Sequence, residues 1–216
     1  MTMPQRSDAL IAELVDGLEP VRPLHFAEGV ALALGAAAVT AVAVVAAFGL
    51  RAEWLAGHLD PMQLVSTLLF LGLALAASVA VVVMSRPQVG SDHSGWRWAA
   101  AMAGLLPLAG VIVALARGAS GLSPELMRHG AECLAGGSAA SLLVFALLTA
   151  WLRRGAPTAP ERAGLVAGVA AGAFGIFAAS LHCGDNDIVH IGLWHSAVVA
   201  VTGLAGRALV PRLIRW

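Results

Sequence analysis

Apolar residues fall along the chain in six runs, at roughly 27–50, 61–84, 97–116, 130–152, 162–181 and 189–210, separated by short polar stretches. Each run is close to the ~20 residues a helix needs to cross the hydrocarbon core of a bilayer. Helix punctuation marks several ends. Asp60-Pro61 reads as an N-cap followed by a first-turn proline. Ser123-Pro124 repeats the pair ahead of the fourth run, so that helix is expected to begin before the membrane does. Pro107 falls inside the third run and predicts a kink. In the fifth run Gly164, Gly168 and Gly172 recur every four residues and form a small-residue face for close helix approach. Packing inside the bundle is the favoured use of that face, with a homo-oligomer contact as the alternative. The fold class is therefore all-α: a polytopic membrane protein of six transmembrane helices, preceded by a short amphipathic helix.

That amphipathic helix is read from "SDALIAELVDGLEPVRPL", residues 7–24. Leu10, Ile11, Leu14, Val15 and Leu18 recur at i, i+1, i+4, i+5 and i+8, one face of a helix. Ser7 is the expected N-cap, and Glu19-Pro20 the expected end. Asp8, Glu13 and Asp16 make the polar face acidic, whereas helices that lie on membranes usually carry basic polar faces. A protein partner with an apolar groove and a basic rim suits it better. The competing reading is a helix that only packs on the end of the bundle. The chain divides into a segment 1–26 and a transmembrane bundle 27–216. A signal peptide's n-region is basic, so this acidic start is expected to remain in the mature protein.

Composition agrees. Of 216 residues, 59% are hydrophobic and 12% charged, well below the ~25% charged of soluble domains. Net charge is zero, which gives no electrostatic case for direct nucleic-acid binding. All 13 basic residues are Arg, as in a GC-rich bacterial genome. Their placement predicts orientation. With a cytoplasmic N-terminus, Arg6, Arg22, Arg86, Arg97, Arg153, Arg154, Arg162, Arg207, Arg212 and Arg215 lie inside, and only Arg51, Arg117 and Arg128 outside. Trp96, Trp98, Trp151 and Trp216 mark the inner boundary and Trp54 the outer one. The expected location is the bacterial inner membrane, multi-pass, with both termini cytoplasmic.

The spans carry little polar chemistry. Glu28 and Arg207 sit near inner ends, and no ionisable Asp, Glu, Lys or Arg falls at mid-depth. Pumps and proton relays usually place such groups there, which weighs against an ion-coupled transporter. The two cysteines are fifty residues apart with no C-x-x-C pair, so a thiol oxidoreductase is disfavoured and no enzyme is expected.

The predicted topology instead gathers Cys133, Cys183, His58, His129, His182, His190 and His195 near the outer face, leaving His25 and His93 inside. His129 and Cys133 are four apart, on one helical face. Cys183 follows His182, in "SLHCGDND". Thiolate and imidazole suit soft or borderline metals such as zinc, copper and cadmium, and two exterior thiols can also pair as a disulfide. The spacing leaves both chemistries open. Each cysteine also has a plain reading as a small packing residue. Asp185 and Asp187 read as a solvated turn, with Asp187 capping the sixth helix. His190 and His195, five apart, do not share a helical face, and His195 is expected to hydrogen-bond another helix.

"LIAELVDGLEPVRPL", six spans, "WLRRGAP" after the fourth, "LHC" closing the fifth and "WH" in the sixth together resemble the NrsF family of membrane-bound anti-sigma factors, named as negative regulators of the extracytoplasmic-function (ECF) sigma factor SigF. The resemblance implies a SigF-type partner held by the N-terminal segment, which adds Pro20, Arg22 and Pro23 to the stripe and acidic residues as docking positions. It implies that Cys133 and Cys183, with His129 and His182 beside them, sense heavy-metal or oxidative stress and release the sigma factor. No resident cofactor is implied, only transient heavy-metal binding at the cysteines. The alternative function is a small metal or metabolite transporter or channel with an outer Cys/His entry site.

Overall fold

In the computed structural model, which describes residues 3–18, 23–58, 60–87, 95–118 and 123–214, the chain is helical almost throughout. A short helix α1 (Met3–Asp16) precedes α2 (Phe26–Phe48), a single turn α3 (Ala52–Leu55), α4 (Pro61–Met84), α5 (Gly95–Arg117), α6 (Pro124–Arg154), α7 (Pro160–Ser180) and α8 (Ser196–Leu213). A π-helical turn, His190–His195, leads directly into α8. Six of these helices are long and apolar enough to cross a membrane, with bounds within a few residues of those expected except for α6. That helix begins at Pro124, six residues ahead of its apolar run, and its 31 residues are longer than a bilayer core requires.

The expected caps form. The Asp60 side chain accepts hydrogen bonds from the backbone N–H groups of Met62 and Gln63 at 2.9 and 3.0 Å. Ser123 Oγ accepts one from Leu126 at 3.2 Å. At α1 the structure departs from the expectation. The helix starts at Met3 and ends at Asp16, which places Ser7 inside it and its end ahead of Glu19-Pro20. Pro4 suits a first turn, and Gly17 is a poor helix former that stops propagation. Leu10, Ile11, Leu14, Val15 and Leu18 are all more than half exposed. Pro23 is exposed, while Glu19, Pro20, Arg22, His93, Arg215 and Trp216 lie outside the described residues.

Helix α7 is the centre of the bundle, with α2, α4, α6 and α8 packed around it. Nearly all its spanning residues are buried, whereas α2 and α5 turn apolar faces such as Val39, Val42, Leu108 and Ile112 outward. The glycines explain how α7 is enclosed. A Cβ at Gly164 would overlap the carbonyl oxygen of Gly206, one at Gly168 that of Thr202, and one at Gly172 the Thr202 hydroxyl, all on α8. On another side Gly175 meets the Gly137 carbonyl of α6. The small-residue face is thus used within the bundle.

Two ends of the bundle can be told apart by what ties them. At one, Arg86 donates to the Leu24 carbonyl, the Ala156 N–H donates to the Ser85 carbonyl at 2.8 Å, and Arg207 pairs with Glu161. The N-terminal arm enters the bundle there. At the other, Arg51, Arg117 and the 181–189 connection meet.

Substitution of Gly168 by Ala should destabilise the detergent-solubilised protein by about 1–3 kcal/mol, the usual cost of overpacking a tight contact. Gly72 has open space where its Cβ would be. Gly72→Ala should be neutral or stabilising by up to about 1 kcal/mol. Thermal unfolding of the two variants beside wild type measures both effects.

Candidate functional site

The 181–189 connection is built by its own side chains. Asp187 N–H donates to Asp185 Oδ1 at 2.8 Å, and Val189 N–H donates to Asp187 Oδ1 at 2.7 Å, so Asp187 opens the last helix as its spacing suggested. Burial raises the pKa of the Asp187 carboxyl, but hydrogen bonds from Arg117 and from the Val189 backbone outweigh it, and the net shift is downward. Arg51 closes the other flank. Its side chain is almost wholly buried, and its guanidinium donates to Asn186 Oδ1 at 3.0 Å and to the Gly184 carbonyl at 3.4 Å. Its backbone N–H donates to the Leu181 carbonyl. Gln63 holds the end of α7 by donating to the Ser180 carbonyl at 2.8 Å.

The π-helical turn is gripped on two sides. Gly192 lies against Gly110 and the Leu106 carbonyl of α5, and the Trp194 ring covers Gly130 of α6. In an α-helix residues five apart point about 140° away from each other. The wider i→i+5 turn swings them back toward one side. His190 and His195 therefore meet, with ring centroids 5.1 Å apart in an edge-on arrangement. Both rings are buried, at 0% and 1% exposure.

Those two imidazoles face the two cysteines. Cys133 comes from α6 and Cys183 from the connection, and their sulfurs are 3.5 Å apart as free thiols. Cys183 Sγ lies 3.5 Å from His190 Nε2. One ligand atom from each of Cys133, Cys183, His190 and His195 lies within 4.8 Å of every other. The Cys183 thiol is shifted toward its ionised form. The hydrogen bond from Cys133 holds its pKa well below the ordinary thiol range, against the opposing effect of burial, with His190 and His195 helping.

A cavity of about 690 Å³ leads to the cysteines, lined in part by Phe48, His129, Glu132, Cys133, His182 and Asp185. His129 is at its mouth, its Nε2 2.9 Å from the Arg128 guanidinium. His182 is exposed and packs on Phe48 with centroids 5.2 Å apart. The structure thus brings Cys133 and Cys183 together and leaves His129 and His182 on the approach. It puts His190 and His195 in contact with the thiols, where the five-residue spacing had argued against a shared face. His195 also departs from expectation: among the described residues neither ring nitrogen makes a well-formed hydrogen bond to another helix, and the ring lies beside the Cys183 thiol instead.

Fold and site define a class: an all-helical membrane protein whose buried polar chemistry includes a thiol–imidazole cluster at one end of the bundle. The chain belongs to the NrsF family, negative regulators of sigma F, whose pattern it matches over residues 14–216. It is 33% identical to the anti-sigma-F factor NrsF of Caulobacter vibrioides (strain NA1000 / CB15N), over 97% of each chain. No solved structure matches it.

Arg51 should govern access to Cys183. Arg51→Ala removes both hydrogen bonds from its guanidinium to the connection, and the lost local stability should raise the alkylation rate of Cys183 about ten-fold. Stopped alkylation followed by mass spectrometry of the intact chain reads it.

Proposed function

We propose that the protein is a membrane-bound anti-sigma factor that holds an ECF sigma factor of the SigF type through its N-terminal segment. In this reading it releases that factor when Cys133 and Cys183 meet a heavy metal or an oxidant. Family membership supplies the negative regulation of a sigma factor. The observation that carries the finer reading is the pairing of two features at opposite ends of one bundle. An acidic helix with five exposed apolar side chains precedes the end tied by Leu24 and Arg86, and two free thiols 3.5 Å apart occupy the other. The first suits helix-in-groove recognition of a protein with a basic rim. The second suits a sensor of the exterior, with both termini in the cytoplasm. A peroxide would take two electrons and the two thiol protons to join the sulfurs, itself being reduced to two waters or, from an organic hydroperoxide, to an alcohol and a water. A soft cation would displace the same protons and bridge the two thiolates.

The rival reading, a transporter or channel, needs a passage. The middle of the bundle is occupied by α7, packed against its neighbours through alanines and through glycines in backbone contact.

Leu14→Asp puts a charge in the apolar stripe and should weaken sigma-factor binding by more than ten-fold, with target genes expressed constitutively. Unchanged repression would remove the stripe as the docking face. Cys133→Ser and Cys183→Ser should each keep the sigma factor bound but blunt its release by cadmium or peroxide; full release in both would return them to packing residues. Sidedness has its own measurement: a membrane-impermeant maleimide should label the thiols in cells whose outer membrane alone is opened. Labelling only after the cytoplasm is exposed would invert the topology.

A further inference from the structure

We infer that His190 and His195 complete, with Cys133 and Cys183, a closed four-ligand site for one borderline divalent cation of the zinc and cadmium class. The inference rests on the sensing reading for its purpose but not for its geometry. Four ligand atoms within 4.8 Å of one another are near the size such a site needs. Sulfurs at about 2.3 Å from a shared tetrahedral ion stand about 3.8 Å apart, and the two here are at 3.5 Å. Contraction of the longest edge by about 1–1.5 Å would close the set.

His195 is the second, independent sign. It is buried beside Cys183, yet among the described residues neither ring nitrogen makes a well-formed hydrogen bond, an arrangement that is costly unless something else satisfies the ring. A cation between the four side chains is that partner. His190 shows the orientation expected of a ligand. Its Nε2 faces Cys183, while Asp185 Oδ2 stands 3.4 Å from its Nδ1. A carboxylate behind the second nitrogen is the usual companion of a metal-bound imidazole.

Charge and access agree. Two thiolates and a divalent cation sum to zero, so the loaded centre is neutral in surroundings where a net charge would be expensive. The thiol protons pass to solvent on binding. Glu132 and Asp185 line the cavity through which a cation would approach. Two sulfur and two nitrogen donors select zinc or cadmium over hard ions such as magnesium and calcium. With all four positions supplied by the protein, the ion would be held and not used for hydrolysis.

The full chain, purified in detergent under reducing conditions, would be titrated with Co²⁺ as a spectroscopic probe and then with Zn²⁺. The expected result is one cobalt per chain, with thiolate charge-transfer and tetrahedral ligand-field absorption. Zinc should displace it, and both thiols should become protected from alkylation. His190→Gln and His195→Gln should each weaken cobalt binding at least ten-fold, about 1.4 kcal/mol. Wild-type X-ray absorption with zinc bound guards against misfolded variants: two sulfurs at about 2.3 Å and two imidazole nitrogens at about 2.0 Å are expected. Absence of stoichiometric binding, a zinc shell without imidazole scattering, or histidine variants that bind as wild type would each overturn the four-ligand site. A histidine-dependent cobalt site in a protein that keeps its sigma factor when loaded would support the site while removing the sensing reading.

Discussion

The close approach of α7 and α8 is the constraint on which the rest depends. In a bilayer, helices gain no hydrophobic free energy by leaving lipid for one another, so association relies on packing and on backbone proximity. Gly164, Gly168 and Gly172 supply that proximity by removing side chains where α8 carbonyls and the Thr202 hydroxyl stand. With α8 locked against α7, its upper extension has little freedom. Gly192 against Gly110 and Trp194 over Gly130 then fix where His190 and His195 point. The sulfur–imidazole cluster is thus a consequence of glycine placement more than ten residues away along the chain.

The cluster has two ways of becoming tied, and they exclude each other. An oxidised pair has no thiolate left to bind a cation, and a bound cation masks the sulfurs from oxidants. Both nevertheless impose the same restraint, a bridge between α6 at Cys133 and the connection at Cys183. One structural output could therefore serve chemically different stresses, which fits the proposed response to both metals and oxidants. Asp187 and Arg51 make the connection a defined object before any bridge forms, so little ordering entropy has to be spent on tying it.

Most of the fold was legible because membrane helices are written in composition and punctuation. Asp60-Pro61 and Ser123-Pro124 cap as their sequence says, and the fifth-span glycines face another helix of the bundle. The start of α1 was misplaced by more than one turn, because Ser7 looks like a cap but lies inside the helix. The cysteines could be placed at one end of the bundle, yet the imidazoles that meet them could not be named. His190 and His195 come together only because the backbone widens into a π-helical turn, a local geometry held by α5 and α6 rather than by its own residues. Arg51 was legible as a charge near one end of the bundle. Its burial against Asn186 and Gly184 joins residues more than 130 positions apart and has no local signature.

The same helices carry a packed route between the two ends. Helix α6 holds Cys133 near one end and Trp151 near the other, eighteen residues or about 27 Å along a continuous helix. The Trp151 indole N–H donates to Ser85 Oγ at 3.1 Å, and its ring sits where a Cβ on Gly29 would be. Gly29 lies in the first turn of α2, directly after the arm enters the bundle. A bridge at the cysteines that turns or shifts α6 would thus press on the root of the arm through Trp151, with no flexible segment between. Such a signal works only through the difference in bridge stability between the two packings. A ten-fold change in sigma-factor affinity asks for about 1.4 kcal/mol of that difference. Metal–thiolate and metal–imidazole bonds would supply it only to the extent that they fit one packing better than the other.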